Sequence, residues 1–250
     1  GHQRINNMAL FTLPEDLFGF YKPYIQYVTE HAVDPDKRRY AFKEEAPRHY
    51  IDIDHYGKPP YDGLPKKWND AVIKFTEDSL NEHGIVPWYI EKMMFRLTDA
   101  FKQKDVNYIL KTSADLGHYV GDAHVPLHCT ENYNGQLTNQ VGIHGLWESR
   151  LPELYATAYD FFVGKAYYID DPLEESWKII RESHHAVDSV LMFEKELTAI
   201  FPIDQKYAWE ERNQSLVKVY SKMFTDRYHH LLYGQVERRM RAAIRAVGSF

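Results

Sequence analysis

The chain carries a single cysteine, Cys129, which excludes an intrachain disulfide and any cysteine-rich zinc finger or ribbon. It has no run of eighteen apolar residues, so no segment is expected to cross a bilayer. Positive charge is not in excess: 30 Lys and Arg against 36 Asp and Glu give −6. That field is wrong for a protein held to nucleic acid chiefly by phosphate neutralisation, and no stable nucleic-acid complex is expected. Internal repeats, Ser/Gly linkers and shifts of composition are missing, so residues 1–250 read as one domain. The P-loop, the Gly-x-Ser-x-Gly elbow and His-Glu-x-x-His are absent too, which removes the commonest NTPases, serine hydrolases and metalloproteases.

What is present is helical spacing. Short amphipathic helical pieces are expected over 9–17 and 18–31. Prolines at 35, 47, 59, 60 and 65 turn 34–65 into loops and tight turns, because proline fixes φ and removes a donor. Helices resume over 67–80, 88–101 and 105–121, where apolar residues recur near every 3.6 positions. A loop with Asn and Gly turn residues spans 126–142. The longest helices are expected over 174–200 and 215–247, each long enough to line a bundle. No stretch alternates with a period of two between turn signals, so the fold class is all-α.

Histidine is abundant at 13 residues. In the segment from Leu116 to His128, His118 and Asp122 stand four apart, on one helix face if the helix runs that far. Pro126 then turns the chain and lets His128 arrive from another direction. His144 and Glu148 repeat the four-residue spacing sixteen residues later. One such pair is usually a surface ion pair or a capped core histidine. Two pairs bracketing a third histidine favour metal ligation, as on the facing helices of di-metal bundles. Upstream, Asp34, His49 and His2 are of the same chemistry. Imidazole and carboxylate without thiolate suit two or three zinc ions.

The set His118-Tyr-Val-Gly-Asp122, Pro126-Leu-His128 and His144-x-x-x-Glu148, preceded by Asp34 and His49 and opened by Gly1-His2, resembles the zinc-dependent phospholipase C and S1/P1 nuclease superfamily. The matching positions cover residues 2–148. The resemblance implies a multi-helical bundle with a metal cluster at the base of a cleft, and a hydrolase of phosphodiester bonds. It implies Asp34, His49, His118 and Asp122 on a first zinc, and His128, His144 and Glu148 on a second. His2, with Asp122 as a bridge, is implied on a third, and Asp34 is expected to orient the attacking water. In the family an N-terminal tryptophan completes the third site. This sequence opens Gly1-His2, so the third ion is expected to be missing or weakly held. Glu148 and the short 128–144 loop look more like the phospholipase branch. Tyr50 and Asp52, just after His49, resemble the aromatic and acid that take a nucleobase in the nucleases. The substrate is thus a phospholipid or single-stranded nucleic acid. Export, with a signal peptide removed before Gly1, is expected from the resemblance.

Other residues have plainer readings. Cys129 reads as a small buried residue, and His124 as a polar loop residue near the cleft rim. Asn132, Tyr133 and Asn134 either line the cleft or form a turn. The pairs His184-His185 and His229-His230 point about 100° apart on a helix and cannot chelate one ion alone. Two competing classes remain: a non-catalytic, metal-stabilised binding protein that has lost the third zinc site, and a di-iron or di-manganese carboxylate protein, disfavoured by its histidine-rich ligand set.

Overall fold

A computed structural model describes every residue except 60, 62 and 213. The chain begins with short helices, α1 (His2–Leu10), α2 (Glu15–Tyr21), α3 (Ile25–Glu30) and α4 (Asp34–Arg38), joined by tight turns. Residues 43–49 and 53–56 form 3-10 turns, with Pro47 inside the first, where it bars a regular helix. The helix expected over 67–80 is split into α5 (Trp68–Phe75) and α6 (Glu77–Glu82) by Thr76, whose φ is +66°. Thr76 Oγ1 accepts from Ser79 N and starts the second piece.

Two eighteen-residue helices follow, α7 (Val86–Gln103) and α8 (Val106–Ala123). Lys104, in the left-handed region at φ +55°, ends α7, and the Asp105 carboxylate accepts from Tyr108 N to start α8. The α8 helix is central, packing on α7, α1, α10 (Pro172–His185) and α13 (Gln235–Ser249). Gly117 and Gly121 of α8 lie under α1: a Cβ at 117 would stand 2.4 Å from Asn6 Oδ1, and one at 121 would stand 3.1 Å from His2 Nδ1. Small residues here let α1 approach closely enough to lay His2 on the helix that carries His118.

Beyond α8 come α9 (Leu151–Tyr155), α10 and α11 (Val187–Ile200). The expected helix over 174–200 is thus two helices meeting at Ala186. A larger difference lies over 215–247. Its first part is β2 (Ser215–Tyr220), paired antiparallel with β1 (Tyr207–Arg212), with Tyr207 opposite Tyr220 and Trp209 opposite Lys218. Only after Ser221 does α12 (Lys222–Leu231) begin, and Gly234 at φ +72° separates it from α13. In β2, Leu216, Val219 and Tyr220 match helical spacing by coincidence, because six residues are too few to separate the two periods. Two strands among the many helices of the described residues leave the fold class all-α.

Two apolar clusters fill the interior. One runs from Leu10 through α7, α8 and α10 to Phe250. The other gathers Ile5, Val125, Leu127, Trp147 and residues of α11 to α13. Both draw on α1 and α13, so the ends of the chain tie the two together. No helix among the described residues is long and apolar enough to cross a membrane.

Candidate metal centre

The C-terminal half of α8 carries His118 and Asp122, both buried and one turn apart. His49 reaches them from the 3-10 turn Lys43–His49, with Nδ1 2.8 Å from Asp122 Oδ2 and 3.1 Å from His118 Nε2. His118 Nε2 is itself 3.2 Å from the same carboxylate oxygen. On the other side, His128 Nε2 and His144 Nε2 lie 3.3 and 2.7 Å from Glu148 Oε2. Glu148 stands on a π-helical turn, Gly145–Arg150. His2 stacks on His118 at 3.9 Å between ring centres and places Nε2 3.3 Å from Asp122 and 3.7 Å from Glu148. The structure therefore brings together His2, His49, His118, Asp122, His128, His144 and Glu148. Their donor atoms fall into three overlapping groups: His49, His118 and Asp122; His128, His144 and Glu148; His2, Asp122 and Glu148.

Asp34 is not among them. Its carboxylate is tied to His31 Nδ1 at 2.5 Å and Lys37 Nζ at 2.8 Å. Asp36 stands where Asp34 was expected, with Oδ1 3.7 Å from His118 Nε2 and 3.9 Å from His49 Nδ1, and it groups with His2 and His118. The two acids flank Pro35 at the start of α4, and the helix turns one toward the centre and the other away. The sequence offers both at nearly the same place, and only the helix phase separates them.

The surroundings orient the rings. His118 Nδ1 donates to Ala32 O at 2.7 Å, His128 Nδ1 to His49 O at 2.6 Å, and His144 Nδ1 to Tyr133 O at 3.1 Å. Each ring thus spends one nitrogen on the backbone and turns an Nε2 lone pair inward, the arrangement that fixes metal-binding histidines. His49 and His118 then face each other nitrogen to nitrogen, with Asp122 bridging them. One shared proton cannot serve all three contacts. Their separations of 2.8 to 3.2 Å approach the roughly 3.3 Å edge of a zinc tetrahedron with bonds of about 2.0–2.1 Å. The donor set fits divalent ions.

The charge pattern agrees. Burial alone would raise Asp122 and Glu148, yet the facing histidines hold both carboxyls well below their ordinary values. Burial alone would lower His2 and His128, but Asp122 and Glu148 push them up to about 10 and about 9. Beneath His49 lies a network absent from the sequence reading. Tyr119 Oη donates to Glu45, and Arg38 bonds Asp115 at 3.0 Å and Tyr119 Oη at 3.2 Å. Burial alone would raise Glu45, but His49, Tyr119, Arg38 and Arg48, the last paired with it at 2.5 Å, bring it down to about 2.

Tyr50 follows His49, half-buried, with its hydroxyl donating to Glu82 O at 3.0 Å. Asp52 NH donates to His83 O at 2.7 Å. Burial, with Asp54 and Glu131 close by, pushes the Asp52 carboxyl up to about 7. Tyr133 borders the centre through its carbonyl and presents a half-exposed ring. His124 is buried, not at a rim, and donates from Nδ1 to Val120 O at 2.7 Å. Cys129 is buried as expected. His184 is taken up by Cys129 O, and His229 stacks on Tyr155.

A helical chain folded around a buried centre of imidazoles and carboxylates is the class that this fold and site define. A family model described as S1/P1 nuclease matches residues 1–227, and the chain belongs to that family, whose members hydrolyse phosphoric esters and are typically zinc-dependent. No curated protein matches the chain.

Proposed function

We propose that this chain is an exported, zinc-dependent phosphodiesterase acting as one domain over residues 1–250 and cleaving single-stranded nucleic acid. The observation that carries the reading is the inward turn of three imidazoles whose other nitrogens are spent on Ala32, His49 and Tyr133 carbonyls. His49, His118, Asp122 and Asp36 would hold one ion, and His128, His144 and Glu148 a second. His2 would hold a third, with Asp122 and Glu148 shared between ions. Bound zinc supplies the Lewis acidity that lowers the pKa of water and offsets charge building on phosphoryl oxygens.

The chain's own groups do the rest. Asp36, partly open to solvent while the histidines beside it are buried, is the acid placed to accept a hydrogen bond from an incoming water. It takes the orienting role expected of Asp34. Tyr50 is pinned by Glu82 O, so its ring offers a fixed face for a base, and Asp52 two residues on offers a polar edge. Family membership favours nucleic acid as substrate and supports export, since these nucleases are commonly secreted. The interleaving of both apolar clusters from α1 to α13 supports one domain.

The test is a paired assay of purified, zinc-loaded protein on single-stranded DNA and on a phosphatidylcholine analogue. Cleavage of the DNA, abolished by His128→Ala, is expected. Cleavage of the lipid alone moves the substrate to the phospholipase side. No cleavage of either, with zinc counted as bound, leaves the non-catalytic binding protein.

A further inference from the structure

A second gathering of ligand-type side chains lies apart from the centre. His55 comes from the turn Ile53–Tyr56, His83 ends α6, and Glu131 follows the turn Pro126–His128. These three segments are distant in sequence, yet one donor atom from each lies within 4.8 Å of the others. His55 Nδ1 is 3.0 Å from Glu131 Oε1, and His83 Nδ1 is 3.5 Å from Asp52 Oδ2. The two rings stack at 3.3 Å, nearly parallel.

A hydrogen bond accounts for His55 with Glu131. It does not account for His83, whose Nδ1 is buried without a hydrogen-bond partner. A buried imidazole nitrogen left bare is costly, and a cation would satisfy it. Carboxylates crowd the same spot. Asp54 accepts from Thr130 Oγ1 at 2.6 Å and from Glu131 NH at 3.0 Å, so its charge is partly spent on holding the 130–131 turn against residues 53–56. Asp52 and Glu131 have no basic partner beyond the two histidines among the ion pairs of the described residues. The 3.0 Å between His55 Nδ1 and Glu131 Oε1 approaches the roughly 3.3 Å edge expected between two ligands of one zinc ion, and His83 lies within 4.8 Å of both.

We propose that His55, His83 and Glu131, with Asp52 bordering His83, form a further divalent-cation site of zinc type, separate from the centre on α8. Two imidazoles and a carboxylate without thiolate select zinc over calcium or magnesium, which prefer all-oxygen shells. An ion there would join three segments of the wall that also carries Tyr50 and Asp52.

The experiment counts zinc on the folded protein. Wild type, the double variant His55→Ala with His83→Ala, and Glu131→Gln are each dialysed against zinc and analysed for metal per chain. Isothermal titration with zinc follows. The double variant is expected to bind one ion fewer per chain. Glu131→Gln, a half-exposed position whose backbone bond to Asp54 is kept, is expected to weaken one class of sites by about tenfold or more while the protein stays folded. If the double variant unfolds, the Glu131→Gln titration decides. Equal stoichiometry and equal affinities overturn the site. His128→Ala, measured alongside, tests the centre on α8. A loss of zinc there with none here leaves the proposed function standing and removes only this site.

Discussion

Asp34 and Asp36 are two positions apart, a step over which a helix turns by about 200°. One therefore faces His49 and His118 while the other faces His31 and Lys37. Asp36→Asn keeps the shape but removes the charge. It is expected to weaken zinc binding by at least the ~10–100-fold that outer partners of a metal site cost, with activity falling in step. Asp34→Asn loses only a partly exposed contact to His31 and Lys37, and such pairs are worth about 0–1 kcal/mol. Its activity should stay near wild type. Metal titration and turnover of the two variants side by side check this, and equal losses would sink the assignment of Asp36. Most of the centre was legible at this scale, since His118 with Asp122 and His144 with Glu148 announce themselves by spacing. Asp36 was not, because the choice between it and Asp34 depends on helix phase after Pro35. Nor was the gathering of His55, His83 and Glu131, since nothing local links three segments that meet only through folding.

At the scale of elements, the site depends on how closely α1 lies against α8. Gly117→Ala puts a Cβ 2.4 Å from Asn6 Oδ1. Asn6 is buried and donates from Nδ2 to Ala114 O at 3.0 Å, so it cannot swing away without losing that bond. A loss of about 1–3 kcal/mol in urea unfolding is expected, as for other overpacked positions. Gly121→Ala meets His2 Nδ1 at 3.1 Å, a tighter fit than usual but one a side chain can relieve. It should cost less stability while loosening the ion that His2 would hold, a contrast that unfolding and metal titration separate. The hairpin is anchored differently. Lys206, just before β1, is buried with Nζ 2.8 Å from Glu194 Oε1 and 2.8 Å from Thr198 Oγ1, and Gln140 Nε2 donates to Glu194 Oε2 at 2.6 Å. Lys206→Ala strands a buried carboxylate and is expected to cost about 3–5 kcal/mol; adding Glu194→Gln should restore part of it. Unfolding of both variants measures the difference. The α7 and α8 pair was legible because eighteen residues of apolar spacing leave little ambiguity. The hairpin escaped notice because β2 is largely exposed and pairs with a strand rich in charge, so no buried face imposed a period of two.

Across the whole molecule, charge and metal act together. A net charge of −6 opposes a polyanionic substrate, so affinity must come from the centre and the base-facing residues rather than from many Lys and Arg contacts. The logarithm of single-strand affinity should therefore fall with the logarithm of salt with a slope of only about −1.4, the value for about two phosphate contacts. A steep slope would point to a basic surface that this reading does not use. Metal removal reaches further, because the centre sits where α1, α4, α8, the 43–49 turn and the 145–150 turn meet. An ion that binds the folded chain and not the unfolded one stabilises it by about 2.7 kcal/mol at a hundredfold excess over its dissociation constant. For a chain of this size 1 kcal/mol moves Tm by about 2–4 °C. Each tightly held zinc should then be worth roughly 5–10 °C, so a chelator should lower Tm by at least that much and added zinc should restore it. The response should shrink in Asp122→Asn, because Asp122 touches His2, His49 and His118 and its loss weakens two of the three groups at once. A Tm indifferent to chelator would mean that the buried imidazoles and carboxylates satisfy one another with protons alone, and the functional reading would fail with it.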